Sequence, residues 1–209
     1  MSKVKHRSRL YVQFPARNPA GLEAPLAQAL RNTEAACVLL CGADRMHQDN
    51  LNRLIDLVQG CGLACLIEGD IALAEELGAD GVHLPANADL YQRARAQLGE
   101  SANIGVDCGL SRHDAMTLAE LGADYVAFSA PPEAGIDGID RCAEIVSWWA
   151  ELFVVPCVAW NVATASDAAR FAALGADFIA PPARLWHEQN AVRLIAGIDI
   201  AMRQARRAA

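Results

Sequence analysis

Charged and polar side chains lie where several strand-length apolar runs of this chain end. His83, Glu68 and Asp107 are the candidate catalytic residues, because imidazole and carboxylate groups are the usual proton donors and acceptors in catalysis. The candidate substrate-binding residues, which could hydrogen-bond a ligand or bind an anion, are Arg17, Arg45, Ser129, Trp160, Asn161 and Arg184. Asp70 and Asp89 could hold Mg²⁺, which takes oxygen ligands. The sequence therefore predicts one polar site for a small-molecule ligand.

Four of these residues also have a structural interpretation, which the sequence leaves open. Asp70 and Asp89 each fall in the first turn of a predicted helix, where the helix dipole favours a carboxylate without any metal. His83 lies in an apolar run and could be a hydrogen-bonded residue of the core. Trp160 could plug a pocket rather than contact a ligand.

A phrase that occurs three times indicates how the chain folds around these residues. Its copies read "LAEELGADGVHL", "LAELGADYVAF" and "FAALGADFIAP". In each copy, apolar residues at helical spacing are followed by a glycine, an aspartate and a short apolar run typical of a buried strand. Gly78, Gly122 and Gly175 stand where a helix ends in a left-handed residue. Each copy predicts the helix-to-strand half of a βαβ unit.

The whole chain continues this alternation. The predicted strands cover residues 10–14, 36–41, 63–67, 81–84, 103–108, 125–129, 153–160 and 178–180. The predicted helices cover residues 20–32, 46–60, 70–78, 88–98, 112–121, 140–151, 165–174 and 188–206. Eight βα units favour an α/β fold, a (β/α)₈ TIM barrel with a closed parallel sheet, as a single domain over residues 1–209. The alternative is an open doubly wound sheet, although no G-x-G-x-x-G motif follows the first strand.

Composition excludes several classes of protein. The 209 residues are 53% hydrophobic, but the apolar runs are too short to span a membrane. The net charge of −7 and the absence of a basic stripe argue against nucleic acid as a partner. Seven cysteines, an odd number without zinc-site spacing, indicate buried free thiols in a reducing cytoplasm. A homo-oligomer is compatible with the sequence.

The repeated phrases, together with "IGVDC" and "VPCVAWN", occur in an order that resembles the thiamine phosphate synthase family. This family also includes a thiazole tautomerase branch, and the likeness covers roughly residues 60–180. The resemblance implies a barrel enzyme that joins a pyrimidine methyl diphosphate to a thiazole phosphate. It also implies that magnesium holds the diphosphate, on which negative charge builds as its bond to carbon breaks.

The chain departs from the family where the family binds phosphate groups. The family's Thr-x-Thr-Lys after the sixth strand is replaced by "SAPPEAGID", and its Gly-Gly after the seventh falls on Asn161-Val162. Val162 should resist the positive φ that a glycine adopts. The only lysines of the chain, Lys3 and Lys5, precede the first strand. We therefore expect the diphosphate and magnesium site to be largely lost.

Three hypotheses for function follow. The first is a barrel of this family that binds a small ligand, such as a thiamine-related one, at the carboxyl ends of its strands without the ancestral reaction. The second is an active thiamine phosphate synthase in which arginines replace the lysines. The third is a non-catalytic partner or regulatory protein.

Overall fold

Strands and helices alternate through the part of the chain that the computed structural model describes, residues 7–17, 19, 21–43 and 48–205. The strands are β1 (Arg9–Pro15), β2 (Ala35–Cys41), β3 (Ala64–Glu68), β4 (Gly81–Pro85), β5 (Asn103–Asp107), β6 (Tyr125–Phe128), β7 (Cys157–Trp160) and β8 (Phe178–Ala180). The helices are α1 (Glu23–Asn32), α2 (Gln48–Gly60), α3 (Ile71–Glu76), α4 (Ala88–Leu98), α5 (Arg112–Glu120), α6 (Gly135–Leu152), α7 (Ala165–Leu174) and α8 (Ala191–Ala205). Short 3-10 turns at Pro132–Ala134 and Ala183–His187 precede α6 and α8.

The strands close into one barrel. They follow one another in chain order, every neighbouring pair is parallel, and β8 pairs with β1. The predicted (β/α)₈ barrel is confirmed, and the open sheet is excluded. Gly78, Gly122 and Gly175 have φ angles of 66°, 102° and 101°, so the predicted left-handed helix ends are confirmed.

The aspartate of each repeated phrase joins two neighbouring strands. Its carboxylate accepts a hydrogen bond from a backbone N–H near the start of the preceding strand, and its own N–H donates to the carbonyl of that same residue. The carboxylate contacts are Asp80 to Cys65 (2.8 Å), Asp124 to Ile104 (2.7 Å) and Asp177 to Cys157 (3.0 Å). The repetition thus has a structural cause, because each aspartate aligns the start of one strand with the next.

Two predicted bounds were wrong by four or five residues. The seventh strand was expected over 153–160 but begins at Cys157. Phe153 instead caps the end of α6, and Pro156 has no N–H to donate to a neighbouring strand. The sixth helix was expected from residue 140 but begins at Gly135, directly after a 3-10 turn. Gly138 permits this tight start, since a Cβ there would lie 2.6 Å from the Cβ of Ala134.

Four rings, those of Tyr11, His83, Tyr125 and Trp160, contact one another in the barrel interior. Tyr11, His83 and Tyr125 are buried. The hydroxyl oxygens of Tyr11 and Tyr125 are 2.7 Å apart, and the Tyr125 hydroxyl lies 3.0 Å from Nδ1 of His83. The His83 ring stacks on Trp160 with centroids 4.4 Å apart and 13° between the planes. His83 is therefore a hydrogen-bonded core residue, as its structural interpretation predicted.

The hydrogen-bonded side chains of Tyr11, Tyr125 and His83 carry no charge at neutral pH. Burial lowers the pKa of His83 to about 3, and it raises the pKa values of Tyr11 and Tyr125 well above the usual value for tyrosine. The imidazole and both hydroxyls are thus neutral, which is the form that a buried hydrogen-bond chain stabilises most.

Gly105 on β5 leaves the space that the Tyr125 ring occupies. Gly105 pairs with Tyr125 on the neighbouring strand, and a Cβ at Gly105 would lie 1.8 Å from Cζ of Tyr125. Any side chain at this position would displace the ring and break its two hydrogen bonds.

The structure also bears on the predicted free thiols and places one tryptophan in the helical layer. All seven cysteines are free thiols, as predicted, although Cys61 is exposed. Trp149 is buried in the helical layer and donates from Nε1 to the carbonyl of Val155 at 2.8 Å. No helix among the described residues is long and apolar enough to cross a membrane.

We expect Gly105→Ala to lower the free energy of unfolding by about 2 kcal/mol or more, because the new methyl group overlaps the Tyr125 ring. Urea unfolding would measure this, with Gly197→Ala on α8 as the control. A Cβ at Gly197 meets no atom within 4 Å, so that variant should be equally stable or gain up to ~1 kcal/mol. Equal stability of Gly105→Ala and the wild type would contradict the placement of Tyr125.

We expect His83 to make the fold sensitive to acid. Its pKa of about 3 lies below the 6.5 of an unfolded histidine, so the unfolded chain binds a proton that the folded chain excludes. The stabilisation is complete above pH 6.5 and is lost as the pH falls towards 3. Between these values the free energy of unfolding of the wild type should fall by up to ~1.4 kcal/mol per pH unit more steeply than that of His83→Gln. The control is His113→Gln, which replaces an exposed histidine on α5 and should keep the wild-type slope. Parallel slopes for the wild type and His83→Gln would show that His83 titrates normally.

Candidate functional site

A cavity of about 770 Å³ opens at the carboxyl ends of the strands. Its wall combines the barrel mouth with the loops after β6, β7 and β8. The polar residues of this wall are Gln13, Glu68, Asn161, Thr164, Asp167 and Arg184. Its larger apolar residues are Ile136, Ile139, Trp160, Val162 and Phe171. Because Ile139 lies on α6 and Phe171 on α7, the cavity extends from the barrel mouth into the gap between these two helices.

Trp160 closes the barrel side of the cavity. Its side chain is half-buried and lines the cavity, with His83 stacked on one face and Tyr11 approaching edgewise at a centroid distance of 5.1 Å. The interpretation of Trp160 as a plug is thus what the structure shows, and it does not conflict with ligand contact. His83 itself is 5% exposed and is not among the described residues that line the cavity. Acid–base catalysis by His83 stays a prediction, and its low pKa disfavours it near neutral pH.

Glu68 and Gln13 supply polar groups at the barrel mouth. Glu68, at the end of β3, is exposed, and its Oε2 accepts a hydrogen bond from the N–H of Gly42 at 2.9 Å. Gln13 on β1 is 6% exposed, and its Nε2 donates over 3.4 Å to Asn161 and over 3.5 Å to the carbonyl of Ala180. Both distances are at the weak limit for hydrogen bonds, so this amide can turn to a better acceptor.

The loop after β7 keeps a left-handed residue without a glycine. Asn161 has φ of 61° and is the only described non-glycine residue with positive φ. Asparagine tolerates this conformation better than most side chains. Val162 does not adopt positive φ, in line with the expectation that it would resist this conformation, because the left-handed turn lies at Asn161. The N–H of Val162 donates to the carbonyl of Ala180 at 3.0 Å and so is not available to a phosphate.

Arginines supply the positive charge at this end of the barrel. Arg184 lines the cavity from the 3-10 turn after β8 and is exposed. Arg17, after β1, is also exposed, and its Cβ would lie 3.7 Å from a Cβ placed at Gly42. Arg45 lies outside the described residues. The charged groups of the described cavity wall are thus Arg184 opposed by two carboxylates, those of Glu68 and Asp167.

Asp107 and Ser129 are hydrogen-bonded to each other, away from the described cavity wall. The Ser129 hydroxyl donates to Asp107 Oδ1 at 2.9 Å, and the N–H of Gly109 donates to the same oxygen at 2.9 Å. Neither Asp107 nor Ser129 is among the described residues that line the cavity. A catalytic role for Asp107 and substrate binding by Ser129 remain predictions.

The two aspartates predicted to hold magnesium, Asp70 and Asp89, lie at helix starts. Asp70 caps α3, since its Oδ1 accepts from the N–H of Leu73 at 2.9 Å, and Asp89 is exposed in the first turn of α4. No group of three or more His, Cys, Asp or Glu side chains that could hold a metal occurs within residues 7–17, 19, 21–43 and 48–205. This geometry agrees with the helix-dipole interpretation of both aspartates. Magnesium binding by the pair stays a prediction.

Sequence reasoning missed residues of the cavity wall. Gln13 could have been found, because it is the one amide in the apolar run "LYVQF". Thr164 and Asp167 form the cap of α7, in which Thr164 Oγ1 accepts a hydrogen bond from the N–H of Asp167 at 3.0 Å. Both residues also line the cavity. This location depends on the separation of α6 and α7, which no sequence pattern indicates.

We expect Asn161→Gly to keep the stability of the wild type within about 0.5 kcal/mol, because glycine adopts positive φ freely. Asn161→Ala should cost roughly 1–2 kcal/mol, the usual strain of a left-handed alanine. Urea unfolding measures both variants. The matched control is Asn52→Ala, at an exposed position of α2, which should not destabilise the fold. If Asn161→Ala were as stable as Asn161→Gly, the left-handed turn would be wrong.

Comparisons with known proteins agree with this geometry. The sequence model of a family described as thiamine monophosphate synthase matches residues 20–182. The thiamine-phosphate synthase of Rhodospirillum centenum is 37% identical over 202 residues, which cover 93% of this chain and 98% of that protein. The thiamine-phosphate synthase of Erythrobacter litoralis is 41% identical over 141 residues, which cover 64% of this chain and 66% of that protein.

Solved structures share the fold at low identity. A thiamine phosphate pyrophosphorylase from Pyrococcus furiosus superposes with a TM-score of 0.77 at 18% identity, covering 97% of this chain and 98% of that one. GGGPS from Thermoplasma volcanium superposes with a TM-score of 0.68 at 13% identity, covering 97% and 95%. The structural likeness establishes the barrel, while the sequence matches establish ancestry. By the family match and the relative of nearly equal length, this chain belongs to the thiamine monophosphate synthase family.

Proposed function

We propose that this protein acts in thiamine biosynthesis as a thiamine-phosphate synthase, a transferase that joins a pyrimidine methyl diphosphate to a thiazole phosphate. The observation that carries the proposal is the 37% identity to the Rhodospirillum centenum synthase across 93% of this chain and 98% of that protein. A match of this extent includes the loops at both ends of the barrel. It favours the working enzyme over our expectation of a lost diphosphate site.

The reaction determines what the cavity must supply. A bond forms from the thiazole to the methylene carbon of the pyrimidine as the carbon–oxygen bond to the diphosphate breaks. Negative charge therefore builds on the leaving diphosphate, and donors fixed around it lower the barrier. The cavity must also hold the two rings in line for this displacement.

Arginines are the groups of this chain that suit the diphosphate. Arg184 lines the cavity and Arg17 lies exposed after β1, while Arg45 follows β2 in the sequence. A guanidinium donates two parallel hydrogen bonds to phosphate oxygens, so arginine can replace the charge of a missing lysine. Magnesium, which the family uses, would neutralise further charge, but the described residues support no assignment of its ligands.

A cytoplasmic location belongs to the same proposal. Its support is the seven free thiols, since such thiols persist in a reducing compartment.

A second candidate function is the binding of a small thiamine-related ligand without this reaction. Three observations favour it: no lysine lies beyond Lys5, the N–H of Val162 is used by Ala180, and two carboxylates face one arginine in the described cavity wall. Such a site would bind a ligand with at most one phosphate.

An assay of the purified protein with both substrates and Mg²⁺ separates the two candidates. We expect thiamine phosphate to form, and Arg184→Ala to lower the rate by about 10²-fold, the usual loss for one charge-stabilising donor. The matched control is Arg193→Ala, which removes an exposed arginine on α8 and should keep the wild-type rate.

The outcome that contradicts the synthase is a folded protein that binds one substrate or thiamine phosphate but makes no product. That result would establish the second candidate. Failure to bind either substrate or the product would overturn both.

A further inference from the structure

Trp160 is the largest flat side chain of the described cavity wall, which also contains Phe171 and several aliphatic groups. It ends β7, is half-buried and lines the cavity. His83 covers one face of the indole at a centroid distance of 4.4 Å with 13° between the planes. The ring is thus supported from the barrel interior and open toward the cavity.

The support beneath Trp160 is stiff because its polar atoms are hydrogen-bonded to one another. Tyr125 sits in the middle, 2.7 Å from the Tyr11 hydroxyl and 3.0 Å from Nδ1 of His83. The rings of Tyr125 and His83 are also nearly parallel, at 5° with centroids 5.7 Å apart. Rotation of His83 would therefore cost a buried hydrogen bond and two stacking contacts.

A hydrogen-bond donor, the Gln13 amide, lines the same cavity as Trp160. Gln13 lies on β1, and within the described part of the chain its amide nitrogen makes two long contacts, to Asn161 and to the carbonyl of Ala180. A ring nitrogen of a heterocycle stacked on Trp160 would be a stronger acceptor for this amide. A flat ring with nitrogen acceptors matches the wall better than an aliphatic ligand does.

We propose that Trp160 is the platform on which the pyrimidine ring of the diphosphate substrate stacks, and that Tyr125 is a positioning residue that fixes this platform through His83. The inference rests on the proposed function, because it names the ring that the cavity receives. Tyr125 touches no substrate in this arrangement. It sets the angle of His83, and His83 sets the plane of Trp160.

Binding of the pyrimidine methyl diphosphate, followed by tryptophan fluorescence and by calorimetry, tests the platform. The substrate should quench the fluorescence of the wild type. Trp160→Phe should abolish most of the quenching and raise the Kd by no more than about threefold, since phenylalanine still offers a flat ring. Trp160→Leu should raise the Kd about tenfold, which is typical for the loss of a ring-stacking partner. Trp148→Phe, in the helical layer beneath Arg112, is the matched control and should keep both the quenching and the Kd.

A double-mutant cycle tests the positioning role. Tyr125→Phe keeps the ring but removes both hydrogen bonds, and it should raise the Kd and KM several-fold with kcat nearly unchanged. In the Trp160→Leu background the same substitution should have no further effect on the Kd, because the platform is already absent. A purely structural role would lower the melting temperature equally in both backgrounds and leave the Kd unmoved in both.

The results separate this inference from the proposed function. If no thiamine phosphate forms but the substrate quenches Trp160, the synthase proposal fails and the platform stands. If the product forms while Trp160→Leu keeps the wild-type KM and quenching, the synthase stands and the platform is overturned. Equal effects of Tyr125→Phe on the Kd in both backgrounds would overturn the positioning role alone.

Discussion

The hydrogen-bond chain from Tyr11 through Tyr125 to His83 is the interaction on which the site depends. An eight-stranded barrel must fill its interior with side chains, and here that filling includes two hydroxyls and an imidazole, each of which needs a partner. Satisfying them inside the barrel fixes the plane of His83 and, by stacking, that of Trp160. The barrel interior beneath Trp160 is thereby filled, and the open space lies at the barrel mouth and in the gap between α6 and α7. The position of the cavity therefore follows from the hydrogen bonds and the ring stacking inside the barrel.

The filled barrel interior determines which side chains can contact a ligand in the cavity. Asp107 and His83 occupy inward positions of neighbouring strands, yet the first is bonded to Ser129 and the second is buried beneath Trp160. The groups that remain accessible are Glu68 at the mouth and Arg184 and Asp167 on the loops and on α7. A charged leaving group is therefore best accommodated at the loops, and a planar ring at the mouth. This division gives the two ends of a diphosphate-bearing heterocycle separate places in one cavity.

Local patterns made the fold predictable, whereas long-range contacts decide the site. Glycine and aspartate in the repeated phrase act within a few residues or on the adjacent strand, so Gly78, Gly122 and Gly175 were correctly placed from the sequence. The role of Gly105 was not, because it exists only when Tyr125 lies beside it. The Tyr11–Tyr125 contact joins residues 114 positions apart, and no sequence pattern reports such a pair. Asn161 is an intermediate case. The sequence showed that the family's Gly-Gly falls on Asn161-Val162, and Val162 avoids positive φ as expected, but the left-handed conformation of Asn161 was not predicted.

The most direct test of this account is nitrogen-15 NMR of His83 in histidine-labelled protein between pH 8 and pH 5. The ring is buried, and burial lowers its pKa to about 3. Its two nitrogens should therefore keep the shifts of one neutral tautomer across the whole range, with the Nδ1 shift set by the Tyr125 hydroxyl. Tyr125→Phe should change the Nδ1 shift and leave His113, which is exposed, unaffected. A His83 titration with a midpoint near 6.5 would contradict the burial of its ring. An Nδ1 shift that stays the same in Tyr125→Phe would contradict the hydrogen bond between Tyr125 and His83, and with it the position of Trp160.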